Sequence, residues 1–490
     1  MWVQNGGCCG NPIKICVTIM KYSDLRDWYD KVANWADRYF RGLKDRPVRP
    51  NLDPGEILQQ IPTSPPQHPE SMEAIFADFE RIIPDGMTHW QHPRFFAYFN
   101  SNSAPVSMIA DQLANTMGAI CMLWQTSPAG TELEIAMMDW MRQALGLPQP
   151  FQGVIQDSAT SSTLSAVLTM RETALNWEGN RIGLFGQLPL RIYTSNQTHS
   201  SVDKAIRLAG LGQANLVKVP TSDNLAMDPQ ALVECVNQDR KHGYLPCGVI
   251  GCIGGTSVGA SDNLAEILKI AKTEKMYSHV DAAWAGSAMI CPEYRSIWAG
   301  IDLADSVVIN PHKWLGAGFD CSIQFLRQPE KQIRTLSMKS AYLETLEQTG
   351  ITDYSDWCIP LGRRFRSLKI WFLLRAYGIS GLQTMIRNHV QWTHDLVNLL
   401  KEIPFVEIVT EPNLSLFTFR VSGGDFDSIE VTRSVLESIN REGKIYLTQT
   451  THQNQFVIRF TIGQFETTWE QVKMAVDVIR CHVEKIVSQS

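Results

Sequence analysis

The chain reads as an α/β protein with a mostly parallel central sheet, an N-terminal helical arm and a small C-terminal α+β domain. Three observations predict this. From about residue 101 to 380, short apolar β-type runs alternate with helical patterns, as parallel strands joined by crossover helices do. Before that region the dominant pattern is one amphipathic helix followed by a proline-rich connector. After it, in residues 381–490, strands and helices recur without the strict alternation, as in an α+β unit closing over a larger body.

Residues 1–19 have apolar character, interrupted by Gly10-Asn11-Pro12 and lacking a basic leading segment, so they do not make a secretory signal. Met20 is the expected natural start, with 1–19 extraneous or disordered. Between Tyr22 and Leu43, the residues Leu25, Trp28, Tyr29, Val32, Trp35, Ala36 and Tyr39 recur at helical spacing. So aromatic a stripe is too large to leave in water, and the helix is expected to pack on the body or on a second copy. The connector 47–69 follows, and residues 20–100 read as an arm rather than a self-sufficient domain.

In the 101–380 domain the expected strands are 153–155, 190–194, 217–219, 248–253, 278–280 and 306–309. Helices are expected between them, including 163–175, 202–209 and 263–272. On such a sheet a ligand binds in the loops beyond the carboxyl ends of the strands. The last domain is expected to hold a long helix from about 381 to 402, strands at 406–410, 416–421, 444–448 and 456–460, and helices at 428–441 and 468–487.

Composition excludes several classes. The 490 residues include 44 basic and 50 acidic ones, a formal charge of −6, and no long basic block, so neither nucleic acid nor an anionic membrane is an expected partner. The densest basic cluster, Arg363-Arg364-Phe365-Arg366, is too short to change that. Residues 112–131 carry no charge, yet Asn115, Thr116, Gln125, Thr126, Ser127 and Pro128 interrupt them, which fits a buried segment rather than a membrane span. Eleven cysteines, none in a C-x-x-C pair, fit reduced thiols in a cytoplasmic protein. No HExxH or EF-hand pattern occurs, so no metal is expected.

Four stretches carry chemistry. In Asn310-Pro311-His312-Lys313-Trp314 a lysine follows the β-branched run Val307-Val308-Ile309 and precedes Gly316-Ala317-Gly318. Alone it is a solvated loop lysine; at the mouth of a buried strand it is a candidate activated amine. In His279-Val280-Asp281-Ala282-Ala283-Trp284-Ala285-Gly286 a carboxylate ends an apolar strand, with Asp281 and Ala283 turned to one side. Such an aspartate is either a structural cap or the partner of a buried cation, such as a protonated pyridine nitrogen. Gln156-Asp157-Ser158-Ala159-Thr160-Ser161-Ser162 is an ordinary Ser/Thr cap or a phosphate site at a helix start; it is neither a Walker loop nor a GxGxxG turn. Ser195-Asn196-Gln197-Thr198-His199-Ser200-Ser201 offers an imidazole that is loop-exposed or stacked on a planar cofactor. One ligand satisfies all four together: pyridoxal 5′-phosphate in Schiff-base linkage to lysine.

These stretches, with Phe95-Phe96-Ala97-Tyr98-Phe99, Thr131-Glu132-Leu133-Glu134 and the region 353–371, resemble the aromatic-L-amino-acid decarboxylases. Those are group II pyridoxal-phosphate decarboxylases of the aspartate-aminotransferase-like fold type I, and the likeness runs from about residue 22 to the C-terminus. The resemblance implies that Lys313 bonds the cofactor, Asp281 pairs with its pyridine nitrogen, Ala283 packs under the ring and His199 stacks above it. It implies that Ala159, Thr160, Asn310 and His312 hold the phosphate, that Thr256 touches the cofactor, and that Tyr98, Phe99 and Ser101, with His199, line the substrate pocket. Asn100 and Ser101 stand where the family more often has proline and threonine. By the same resemblance, Tyr354, in a polar segment 335–357 expected to be a mobile closing loop, protonates the substrate carbon after carbon dioxide leaves. The family works as a homodimer with shared sites.

The function implied is decarboxylation of an aromatic L-amino acid of the tryptophan, phenylalanine, tyrosine or dopa class. Three alternatives stand beside it. A decarboxylase of glutamate, aspartate or sulfinoalanine would need a cation opposite the side-chain carboxylate, and residues 98–124 contain no lysine or arginine. An aromatic aldehyde synthase is distinguished by phenylalanine in place of the loop tyrosine. A non-catalytic dimeric scaffold would keep the fold without the chemistry.

Overall fold

The computed structural model describes residues 20–338 and 351–489. The stretch 1–19 and much of the polar segment 335–357 therefore lie outside the described residues. The chain divides into two compact units between His89 and Trp90.

The first unit holds α1 (Leu25–Gly42) and α2 (Met72–Ile82). Ser71 starts α2, its hydroxyl oxygen accepting from the Ala74 amide at 3.2 Å. The aromatic stripe of α1 meets α2: Trp28 lies edge-on to Phe76 at 5.8 Å and Trp35 to Phe79 at 4.9 Å. Trp28 and Trp35 thus find partners within the arm, while Tyr29 and Val32 of the same stripe stay exposed. Aromatic rings meeting edge to face explain why the spacing is so regular.

The second unit opens with α3 (Pro105–Thr116) and α4 (Pro128–Leu145), each with proline in its first turn. There follow β1 (Gln152–Gln156), α5 (Ala159–Ala174), α6 (Glu178–Ile182), β2 (Leu190–Thr194), α7 (Ser201–Leu208), β3 (Leu216–Lys218) and α8 (Pro229–Lys241). Next come β4 (Leu245–Cys252), α9 (Leu264–Thr273), β5 (Tyr277–Asp281), β6 (Ser306–Ile309), β7 (Ser322–Leu326) and α10 (Pro329–Leu336). The seven strands form one sheet in the order β1-β7-β6-β5-β4-β2-β3. The strands from β3 to β6 are parallel, while β7 runs antiparallel to both β6 and β1. Both faces are covered. Ile192 and Ile250 pack with Val202 and Ile206 of α7, while their neighbours Tyr193 and Val249 pack with Leu232 of α8 and Ile267 of α9. Period-two alternation on each strand puts successive residues into these two cores.

A long helix, α11 (Ser367–Lys401), is broken at Gly378, whose φ of 63° suits glycine. It leads to β8 (Val406–Asn413), β9 (Leu416–Val421), α12 (Ser428–Glu442), β10 (Thr448–His452), β11 (Gln455–Thr461) and α13 (Trp469–Val487). Their strands form an antiparallel sheet in the order β10-β11-β9-β8. Phe417, Phe419, Ile458 and Phe460 face a core shared with Leu396, Leu436 and Ile479.

Several expectations need correcting. The strand β7 escaped notice, because Ser-Ile-Gln-Phe-Leu is short and carries a buried glutamine bonded to Gln332 of α10. The helix expected from 163 begins at 159, since Ser158 caps it by accepting from the Ser161 amide. No ladder forms at 444–447: Tyr446 makes only an isolated bridge to Phe95, and pairing starts at Thr448. Among the described residues no helix is long and apolar enough to cross a membrane.

Candidate active site

Sheet register gathers the expected site residues. Thr194 pairs with Ile250, Cys252 with Asp281 and Asp281 with Val308, so the loops after β1, β2, β4, β5 and β6 open at one edge. A cavity of about 200 Å³ lies there. Ser158, Ala159 and Thr160 line it from β1, His199 and Ser201 from β2, and Gly254, Gly255 and Thr256 from β4. Asp281, Ala283 and Trp284 join from β5, and Asn310, His312 and Lys313 from β6, with Phe99 and Phe319 completing the wall.

One side of this cavity is rich in hydrogen-bond donors. The first-turn amides of α5 at Ala159 and Thr160 have no helical acceptor and carry the positive end of the helix dipole. The buried Ser201 hydroxyl has no partner. Asn310 accepts from the Ser322 hydroxyl at 2.7 Å through Oδ1, which leaves its Nδ2 as a donor. His312 accepts from the Cys321 amide through Nδ1 at 2.9 Å, and burial pushes its pKa down to about 3, so the neutral ring carries its proton on Nε2. Such a set fits a phosphate. The glycines after β4 allow the loops to crowd: Gly254 sits at φ 71°, and a Cβ on Gly255 would stand 2.8 Å from the Gln197 carbonyl.

The other side holds the reactive groups. Burial lowers the pKa of the Lys313 amine, Asp281 opposes that shift and Arg459 adds to it. Asp281 accepts from the Ala283 amide at 3.0 Å through Oδ1, leaving Oδ2 for a cation. His199 accepts from the Ser201 amide at 3.1 Å through Nδ1. Desolvation lowers its pKa, Asp281 opposes this and Lys313 reinforces it, so the ring is neutral at pH 7 with its proton on Nε2.

Two supporting residues were not anticipated. Asn102 donates to the carbonyls of Lys313 at 2.7 Å and Gly463 at 2.6 Å, and accepts from the Phe465 amide at 2.9 Å, which fixes the lysine's backbone. Arg459, on β11, holds its guanidinium 5.1 Å from the Phe99 ring centroid. Neither announces itself in sequence: an asparagine in a loop and an arginine within Phe-Val-Ile-Arg-Phe are both ordinary. Behind Phe99 the rings continue, with Trp284 stacked on it at 4.3 Å and Trp314 on Trp284 at 5.2 Å.

Three expected site residues do not line the cavity. Tyr98 has φ 50°, which turns its ring toward Trp90 and Tyr446 and leaves it exposed. Ser101 contributes its carbonyl to Gln91 instead. Tyr354 is 3% exposed and buried with Val154, Leu326, Trp357 and Cys358. Its ring lies under Arg363 at 4.9 Å, beside a separate depression that Thr352 and Trp357 share with α4 and β1. An apolar cluster, rather than the reacting centre, holds that ring, so the proton-delivery role expected of Tyr354 has no geometric support.

Residues 54–422 match the pyridoxal-dependent decarboxylase conserved domain. The chain is 39% identical over 481 residues to the aromatic-L-amino-acid decarboxylase of Mus musculus, covering 94% of this chain and 98% of that one. It is 36% identical over 474 residues to the phenylacetaldehyde synthase of Arabidopsis thaliana, covering 94% and 96%. Its fold superposes on the crystal structure of Oryza sativa TDC with PLP and tryptamine with a TM-score of 0.92 at 31% identity, covering 95% of this chain and 99% of that one. With this edge of the sheet carrying a lysine, a carboxylate and a phosphate cradle, the chain belongs to the pyridoxal-dependent decarboxylase family, in its aromatic-L-amino-acid decarboxylase branch. It is a carbon–carbon lyase whose cofactor is pyridoxal 5′-phosphate.

Proposed function

We propose that this enzyme removes the α-carboxylate of an aromatic L-amino acid, of the tryptophan, phenylalanine, tyrosine or dopa class, to give the arylalkylamine and carbon dioxide. The observation that carries this is the meeting of Lys313 and Asp281 in one cavity whose wall is a stack of aromatic rings. Bound pyridoxal 5′-phosphate supplies an electrophilic carbon for an amine and a protonated heterocycle that accepts the electrons of a breaking bond. Lys313 would hold that carbon, its lowered pKa leaving more of the amine in nucleophilic form. Asp281 Oδ2 would keep the ring nitrogen protonated, Ala283 would pack below the ring and His199 would stack above it. Ala159, Thr160, Asn310 and His312 would hold the phosphate, with Ser201 and Thr256 beside them. Phe99 and Trp284 offer the flat apolar surface that an aromatic side chain needs.

After the carboxylate departs, the substrate carbon needs a proton. Within the segment expected to deliver it, Tyr354 is enclosed elsewhere, and the remaining tyrosine is Tyr342, outside the described residues. We assign the proton to Tyr342. The relation to a phenylacetaldehyde synthase makes aldehyde formation the second reading. A competition assay of tryptophan, phenylalanine, tyrosine, dopa and glutamate, scored for carbon dioxide, amine, aldehyde and peroxide, separates them. Amine from an aromatic substrate supports the proposal, while turnover of glutamate alone, or aldehyde as sole product, overturns it.

We further propose a homodimer in a reducing, cytoplasmic setting. Ile109 and Leu113 share one face of α3, Met117 follows at its end, and all three are exposed apolar side chains. The described cysteines are all unpaired, most of them buried. Sedimentation of the purified enzyme at twice the chain mass is the expected result.

A further inference from the structure

A row of polar side chains crosses the apolar middle of the seven-stranded sheet. Gln156 of β1 donates through Nε2 to Gln324 Oε1 of β7 at 3.1 Å. Gln324 Nε2 donates to Ser306 Oγ of β6 at 3.2 Å, and Ser306 Oγ meets His279 Nδ1 of β5 at 2.8 Å. All four residues are buried. At the β1 end the row is tied off, since Gln156 Nε2 also donates to the Trp357 carbonyl at 3.2 Å. At the β5 end it stops on a bare atom: His279 is wholly buried, and its Nε2 has no partner. Leaving such an atom unpaired costs about 1–3 kcal/mol. Burial lowers the ring's pKa to about 4, so it is neutral and carries one proton. Ser306 Oγ accepts from Gln324, its own proton is free for His279 Nδ1, and the ring proton is left on Nε2. The bare atom is therefore a donor. Asp281 lies two residues further along β5, on the same face, and its charge acts on this imidazole. A gap between a buried donor and a carboxylate is where an internal water settles.

We infer that His279 is a positioning residue acting through Asp281: its Nε2–H, by way of one buried water, donates to the Asp281 carboxylate and so keeps the shared proton on the cofactor's ring nitrogen. This rests on the pairing of Asp281 with that nitrogen and goes beyond it. A hydrogen bond donated to a carboxylate favours its charged form. Asp281 held as an anion leaves the proton on the heterocycle, which is the form that accepts electrons. Without that donor Asp281 takes a larger share of the proton, and the heterocycle becomes a poorer electron sink.

The test is the nitrogen-15 NMR shift of ring-labelled pyridoxal 5′-phosphate in the loaded enzyme, which reads the protonation of that nitrogen without turnover. The unaltered enzyme is expected at the protonated value. His279→Asn keeps a polar group near Ser306 but places none at the Nε2 position. It is expected to move the shift toward that of a neutral pyridine and to lower kcat about 10- to 100-fold, with KM within about 2-fold. His279→Gln, whose amide reaches the Nε2 position, is expected to restore both. Gln156→Leu cuts the far end of the row and is expected to lower the melting temperature while leaving the shift in place. His279→Leu, with the same expected shift as His279→Asn, serves if the asparagine variant does not fold. An unchanged shift in the variant that folds, or an equal displacement in Gln156→Leu, would mark the row as a structural brace and overturn the inference. A neutral nitrogen in the unaltered enzyme would instead defeat the pairing of Asp281 itself, and this inference with it.

Discussion

At Lys313, burial and the nearby Arg459 lower the amine's proton affinity while Asp281 holds it up, a balance that suits an amine meant to form a covalent bond. Lys313→Ala is expected to lower turnover at least about a thousandfold, and Asp281→Asn about 10²- to 10³-fold, as removal of one preorganised charge commonly does. Steady-state assay with an unchanged melting temperature checks both. Tyr354→Phe is expected to keep the wild-type product and rate, whereas Tyr342→Phe is expected to divert product from amine to aldehyde; the opposite pattern in a product assay would restore Tyr354 to the chemistry. Much of this site was legible beforehand. Lys313, Asp281 and His199 each follow an apolar strand, and strand ends on a parallel sheet converge whatever the intervening sequence. Arg459 was illegible because its position depends on how a distant antiparallel sheet folds back. Tyr354 was misread because a polar segment with a glycine does not say which way one ring within it turns.

At the scale of elements, Arg363 ties three of them. Its Nη2 meets Glu134 of α4 at 2.6 Å and the Ile155 carbonyl of β1 at 2.8 Å, and its Nη1 meets the Cys121 carbonyl at 3.1 Å. Both partners of the ion pair are buried. Arg363→Met leaves the Glu134 charge enclosed without its counter-ion, held only by the Ile155 amide, and is expected to cost about 3–5 kcal/mol. Adding Glu134→Leu should recover part of that loss. Denaturant midpoints measure both variants; a single-variant loss under about 1 kcal/mol would mean that water reaches the pair. The sequence marked 363–366 only as its densest basic cluster, since burial of an arginine beside a glutamate 229 residues away has no local signature. Strand and helix positions were recovered wherever apolar alternation was regular. They failed at β7, where a buried Gln324–Gln332 bond breaks the apolar run, and at 444–447, where buried Ile445 and Leu447 have no neighbouring ladder.

Across the whole molecule, two buried histidines away from the cavity set an acid response. Burial lowers the pKa of His279 to about 4 and that of His389 to about 3. Both are therefore neutral when folded, whereas the unfolded chain protonates them below about pH 6.5. Their contribution to stability is thus intact above 6.5 and falls as pH drops, by about 1.4 kcal/mol per unit for each histidine. Melting temperatures between pH 6.5 and 5 should decline, with a shallower slope in His389→Gln; parallel slopes would mean that His389 titrates normally in the fold. The overall architecture was legible because its sheet is buried on both faces and so written as apolar runs, whereas the contact of Trp28 and Trp35 with α2 was not, since an aromatic stripe does not name its partner. The central claim is that Lys313 bears the cofactor. Borohydride reduction of the cofactor-loaded enzyme, followed by peptide mass spectrometry, tests it most directly: a pyridoxyl-phosphate adduct on the peptide containing Lys313 is expected, and an adduct on any other lysine, or none, would contradict it.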